Sequence, residues 1–405
     1  MIKNKMVISV KKQVYLAFTY FIIAAFFGVV LRLFHAIDLP INYKFIVHTH
    51  SHIALLGWVY LILTTLLYHV YLSNQSISKK HRNLFLFTQI TLIGMLVTFP
   101  FQGYALFSII FSTLFLIASY LFTWFFITHV SVSTKASYSY KIIKSALVYL
   151  VISSIGPWAL GAIMTMLGPL SIWYRLAIYF YLHFLYNGWM ILALVGLFFY
   201  ILENKKITIN KKTFTSFYRL INAGVILSFF LSILWIEPSL LYNGLGGFGA
   251  LIQLIAIVFL ICELRSNDQS ILNIFTDFQK MILKTVFGLL VLKMLLQLIT
   301  ALPYFAMLAV NYLDFTIGYL HLTFLGIISL SIFFFLDYFQ ILKVTKGPYF
   351  LYITSFAITE LLIFYKGFAS WQKISIIENY YSALAFFSAL ILISIVLILV
   401  LRKKA

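Results

Sequence analysis

The chain has nine histidines among its 405 residues, and five of them are spaced as a binding site would need. His52, His183 and His321 are each followed five residues later by glycine, in His52-Ile-Ala-Leu-Leu-Gly57, His183-Phe-Leu-Tyr-Asn-Gly188 and His321-Leu-Thr-Phe-Leu-Gly326. Tryptophan follows the glycine in the first two, as Trp58 and Trp189. One such match carries no information. Three at intervals of 131 and 138 residues, close to a third of the length, read as an internal repeat. His48 and His50 precede His52 in His48-Thr-His50-Ser-His52. Imidazole is a common ligand for transition metals and for haem iron. His48, His50, His52, His183 and His321 are therefore the candidate ligands. On a helix, residues two apart point about 200° away from each other, so His48 and His52 share a face and His50 looks elsewhere. The other reading of the three repeated histidines is hydrogen-bonded packing between helices.

The elements that must position these residues follow from composition. The chain is 63% hydrophobic and 10% charged, with a mean hydropathy of +1.02. Soluble domains are about half apolar and about a quarter charged, so no water-soluble surface can be built from it. Disordered chains, disulfide scaffolds and ordinary cytosolic enzymes are excluded, and the single cysteine, Cys262, can form no intrachain disulfide. A bilayer-spanning helix needs about 20 mostly apolar residues. Twelve such runs lie near 13–35, 45–72, 84–102, 104–128, 143–167, 173–202, 215–236, 245–264, 281–304, 313–338, 349–366 and 380–401. Only Pro100, Gln102 and Gly103 separate the third from the fourth. The basic stretch Met1–Lys12 before the first run reads as the lead of a membrane helix that serves as its own signal.

The expected fold is an all-α polytopic membrane protein of about twelve helices in three pseudo-repeated four-helix blocks. It forms one transmembrane domain over 1–405, with blocks near 1–130, 131–265 and 266–405. The repeated histidines fall on the second, sixth and tenth spans, the second helix of each block.

The net charge of +19 would suggest nucleic acid in a soluble protein, but in a membrane chain it reports orientation. Of the 29 Lys and Arg, 23 lie in the N-terminus, the C-terminal tail and the loops after even-numbered spans, among them Lys3, Lys5, Lys205, Lys206, Arg402, Lys403 and Lys404. Lys44, Arg175, Lys366 and Lys373 lie on the other side. Both termini are thus expected in the cytoplasm, with the lipid bilayer as partner and no nucleic acid. The longest loop, near 265–280, carries Asp268 and Asp277 and is a short connection. With that orientation each repeated histidine sits roughly 12–15 Å below the outer surface, at 1.5 Å per residue.

Other polar residues are few. Arg32 ends the first span on the outer side, where it could pair with an anionic group. Lys293 and Glu360 sit near the middle of the ninth and eleventh spans. They read as a buried ion pair, as snorkelling side chains or as a proton relay. His35, His69, His81 and His129 lie near span ends and read as solvated or interfacial. Met164 and Met166 have no matching soft-ligand cluster and read as packing.

Twelve helices, three blocks and histidines on helices two, six and ten resemble subunit I of the haem-copper oxidases, including the large subunit of nitric oxide reductases. The resemblance covers essentially the whole chain as architecture. At residue level it rests on HTHSHIALLGWVY, from His48 to Tyr60, and on YLHLTFLG, from Tyr319 to Gly326. It implies a low-spin b-type haem held by His321 and by His52 or, second to it, His50, with Arg32 placed for a propionate. Bis-histidine ligation suits electron transfer because it leaves no open site on the iron. Copper is the weaker expectation. The family needs one histidine on helix six, which His183 could supply, and two on helix seven, where this chain has none. The family's second histidine on helix ten is replaced by Tyr319, and Phe184-Leu-Tyr-Asn-Gly-Trp189 replaces the segment expected after the helix-six ligand.

A looser resemblance links His48-Thr-His50-Ser-His52 to a second twelve-helix family with haem and copper that is associated with nitric oxide stress. The implied function is electron transfer, or the handling or sensing of O2 or NO, in a bacterial cytoplasmic membrane, with electrons from quinol or a redox partner protein. If the chain is an enzyme, it is an oxidoreductase of that type. The alternatives are a cofactor-free transporter or channel with His183, Asn187, Lys293 and Glu360 in its interior, and a metal-trafficking protein using His48–His52.

Overall fold

The computed structural model describes residues 8–73, 77–236, 239–266 and 273–401. Lys3, Lys5, Asp268, Arg402, Lys403 and Lys404 lie outside them. Among the described residues twelve helices are long and apolar enough to cross a membrane: α1 Val10–Leu33, α2 Tyr43–Tyr71, α3 Ser78–Gln102, α4 Leu106–His129, α5 Tyr138–Met166, α6 Ile172–Asn204, α7 Lys211–Ile233, α8 Leu240–Arg265, α9 Asp277–Ile299, α10 Leu313–Tyr338, α11 Lys346–Gln372 and α12 Tyr380–Val400. No strand occurs among the described residues. Helices are the solution the bilayer demands, because each satisfies its own backbone hydrogen bonds. The chain is an all-α polytopic membrane protein.

Local chemistry sets the borders between spans. α3 ends at Gly103, whose φ of +59° turns the chain. A Cβ there would lie 2.5 Å from the Phe45 ring, so both conformation and space call for glycine. Between α5 and α6 the same role falls to Gly168, φ +78°, followed by Pro169. Ser171 then caps α6 by accepting from the Trp173 amide at 3.3 Å. The ninth run ends earlier than its hydropathy suggests, at Ile299, and Pro303–Asn311 forms a separate short helix. Proline at the first helical position cannot continue the preceding helix but is preset to begin a new one.

The chain divides into two compact units, 1–130 with 332–405, and 131–331. The first border coincides with the end of the first block, whereas the third block is shared between units through α10. In the first unit α12 packs along α1 and α11, and α1 packs against α2. In the second unit α5 packs on α6, α7 on α8, and α9 on α10.

The block repeat has two structural signatures. α2, α6 and α10 are the most buried spans, with 78, 83 and 72% of their apolar windows covered, whereas no other span exceeds 50%. A helix that is apolar all round belongs inside. Each of these three also contains a π-helical segment, and each segment begins at the residue after the repeated histidine: Ile53–Tyr60, Phe184–Met190 and Leu322–Ile328. π-helical turns are rare and concentrate at functional sites.

The first helix of each block leans on this segment. Tyr20 of α1 covers Gly57 and Tyr149 of α5 covers Gly188; a Cβ on either glycine would come within 2.9 and 2.6 Å of the tyrosine Cβ. Each tyrosine hydroxyl then reaches the third helix of its block, Tyr20 donating to Gln89 Oε1 at 3.0 Å and Tyr149 to the Asn222 carbonyl at 3.2 Å.

Candidate functional site

In the first unit the three clustered histidines separate as their spacing requires. His48 and His52 face the turn between α3 and α4. The His48 ring centroid is 4.6 Å from that of Tyr104, and the His52 ring lies 4.4 Å from Phe99. His50 points to α1, where its Nδ1 bonds the Ala24 carbonyl at 2.8 Å. Gly28 makes room for this ring, since a Cβ there would stand 3.2 Å from His50 Cε1.

His52 Nδ1 likewise bonds a backbone carbonyl, that of His48, at 2.9 Å. A carbonyl can only accept, so Nδ1 carries the proton in both rings and Nε2 keeps its lone pair. The His52 Nε2 lone pair accepts from the Tyr104 hydroxyl at 2.9 Å. Arg32 of α1 exerts its charge on both His50 and Glu360. Glu360 is buried in α11, and neither of its carboxyl oxygens has a hydrogen-bond partner among the described residues.

The second unit holds a different arrangement. His183 of α6 is buried, and its Nε2 donates to the Val225 carbonyl of α7 at 2.8 Å. Its Nδ1 is therefore the acceptor, approached at 3.3 Å by both Asn187 Nδ2 and Ser232 Oγ. With the Asn187 amide nitrogen turned toward His183, its oxygen faces Lys293 Nζ of α9, which donates to it. Lys293 donates also to Gln297 Oε1 at 2.7 Å, and Tyr319 of α10 donates to the same oxygen at 3.3 Å. The rings of Tyr186 and Tyr319 flank the ammonium at 5.9 and 5.7 Å. One assignment of every amide and tautomer satisfies the chain from Lys293 through Asn187 and His183 to Val225.

These positions bear on the expected ligands. His50 and His52 are anchored through Nδ1 by a backbone carbonyl, the orientation in which Nε2 of a neutral histidine binds a metal, although His52 Nε2 is already taken by the Tyr104 hydroxyl. His321 closes the helical stretch Leu313–His321 ahead of its π segment, in the second unit. His183 uses both ring nitrogens on protein groups. The Tyr319 hydroxyl is engaged by Gln297. Within each unit, the described His, Cys, Asp and Glu side chains form no group of three that could share one metal ion.

Lys293, in the second unit, donates to two neutral amides, and Glu360, in the first, has no hydrogen-bond partner among the described residues. His81, expected at the solvated end of its span, is 6% exposed and stacks on Tyr68 with centroids 3.4 Å apart. The first turn of α3 packs its ring against α2 in place of water. Gln297 could have been found from sequence, because it stands four residues after Lys293 on one helix face. Tyr104 and Ser232 carry no local signal, since only packing brings them to the histidines. No protein-family model matches the chain, and no curated protein matches it either.

Proposed function

We propose that this chain is an integral membrane haem protein of the haem-copper oxidase subunit I type. It would bind one b-type haem, with His52, His50 as the alternative on α2, and His321 as candidate ligands, and serve electron transfer or the handling of a diatomic gas. The observation that carries the reading is the histidine anchored by a backbone carbonyl just ahead of a π-helical turn on the most buried helix of a block. A bound haem supplies a reversible one-electron couple. The protein's own part is to fix the imidazoles: the His48 carbonyl holds His52, and the Ala24 carbonyl holds His50. Arg32 offers a cation near His50 for a propionate. Both termini would face a bacterial cytoplasm, with electrons from quinol or a protein partner. The copper part of the family's chemistry is not proposed, because α7 has no histidine and His183 is committed to Val225.

Absorption spectroscopy of the purified protein tests this. The expected result is a Soret band that His321→Ala abolishes and that His52→Ala or His50→Ala abolishes or shifts. Absence of the band in haem-supplemented protein with all three histidines intact overturns it. A second reading, a cofactor-free transporter or channel, is favoured by the buried polar network around Lys293. Haem-free protein that carries an ion or solute across proteoliposomes would select it.

A further inference from the structure

The network of the second unit has an imbalance that the haem reading does not use. An ammonium group has three N–H donors and no acceptor. Lys293 Nζ, 1% exposed, gives one donor to Asn187 and one to Gln297. Both acceptors are neutral amides. The tyrosine rings beside the cation attract it through their faces but take none of its protons. Gln297 is constrained by the same chemistry. Its oxygen must face the two donors Lys293 and Tyr319, so its NH2 group turns the other way. That nitrogen, Nε2, is buried and has no hydrogen-bond partner among the described residues. The third Lys293 proton has none among them either.

Two donors on adjoining side chains, one of them cationic, therefore lack acceptors in a water-poor interior, and no carboxylate among the described residues hydrogen-bonds the cation. A buried charge is retained only when it is paired. Donors without acceptors are the chemical complement of an anion.

We propose that the site between Lys293 Nζ and Gln297 Nε2 binds a small monovalent anion, which completes the coordination of the ammonium. Asn187 Oδ1 and Gln297 Oε1 hold the cation in place, and Asn187 ties it to His183 and so to α7. The site draws on α6, α9 and α10 of one unit and is independent of whether haem binds elsewhere.

The test uses the full chain purified in detergent, in gluconate at constant ionic strength, with bromide, nitrite or acetate titrated in. Comparing bromide and nitrite with acetate separates an inorganic anion from the carboxylate of an organic one. A ligand that binds only the native state raises the unfolding midpoint with its concentration. The expected result is a saturable rise for at least one of the three, lost in Lys293→Met. Asn187→Asp places a carboxylate beside the ammonium, so that protein should remain folded and lose its response to anions. A midpoint indifferent to all three anions overturns the proposal, as does a response that survives in Asn187→Asp. Because Asn187→Asp keeps the cation paired, it decides the question even if Lys293→Met does not fold. Absence of a Soret band would leave this outcome untouched.

Discussion

His50 and His52 show how one helix gives two imidazoles the same chemistry in two directions. Each has Nδ1 tied to a main-chain carbonyl, one on the neighbouring helix and one a turn back on its own. A main-chain acceptor survives side-chain substitution, so the tautomer belongs to the fold. Glu360 is the contrasting case, a buried carboxyl whose oxygens find no donor among the described residues. Replacing an unsatisfied buried polar group by an apolar one of similar shape is neutral or stabilising. Glu360→Met should therefore leave stability unchanged or raise it by up to about 2 kcal/mol, as read from thermal unfolding in detergent. A destabilised variant would mean that the carboxyl has a partner in the membrane.

At the scale of elements, the histidine, the π segment and the glycine form one device used in each block. Inserting a π turn rotates the helix that follows, and in the first two blocks glycine lets the first helix press a tyrosine against it. Adding a methyl where no space exists forces the backbone apart, at a typical cost of about 1–3 kcal/mol. Gly188→Ala should show that loss, because its new Cβ meets Tyr149 Cβ and Cγ, which cannot swing aside. Gly161, in α5, has nothing within 4 Å. Gly161→Ala should be neutral or gain up to about 1 kcal/mol from helix propensity. Unfolding midpoints of the two variants against the parent check the pair, and equal effects would remove the packing role from Gly188.

At the scale of the whole molecule, the basic residues are the largest asymmetry, and they predict orientation. Leu170, fully exposed in the turn between α5 and α6, should lie outside, and Thr208, between α6 and α7, inside. With Cys262 replaced by serine, Leu170→Cys should react with an impermeant maleimide on intact cells. Thr208→Cys should react only after the cells are opened. The reverse pattern would invert the topology and place the repeated histidines at the cytoplasmic level.

How much of this was legible differs by scale for physical reasons. The bilayer admits only long apolar helices, so the twelve spans, the three blocks and the histidine on every second helix of a block stand in the sequence as runs and intervals. Helical geometry alone separated His50 from His48 and His52. The π segments left no mark in composition, because an i+5 hydrogen bond is selected by what packs against the helix and not by a residue type. The same holds for partners: Lys293 and Gln297 share a face by spacing, but Asn187 lies 106 residues away in sequence. The sequence by itself determined which runs form the apolar helices and which of those helices carry the repeated histidines. Only the tertiary structure decided which donor meets which acceptor, because a hydrogen bond depends on a few tenths of an ångström between helices that are distant in the chain.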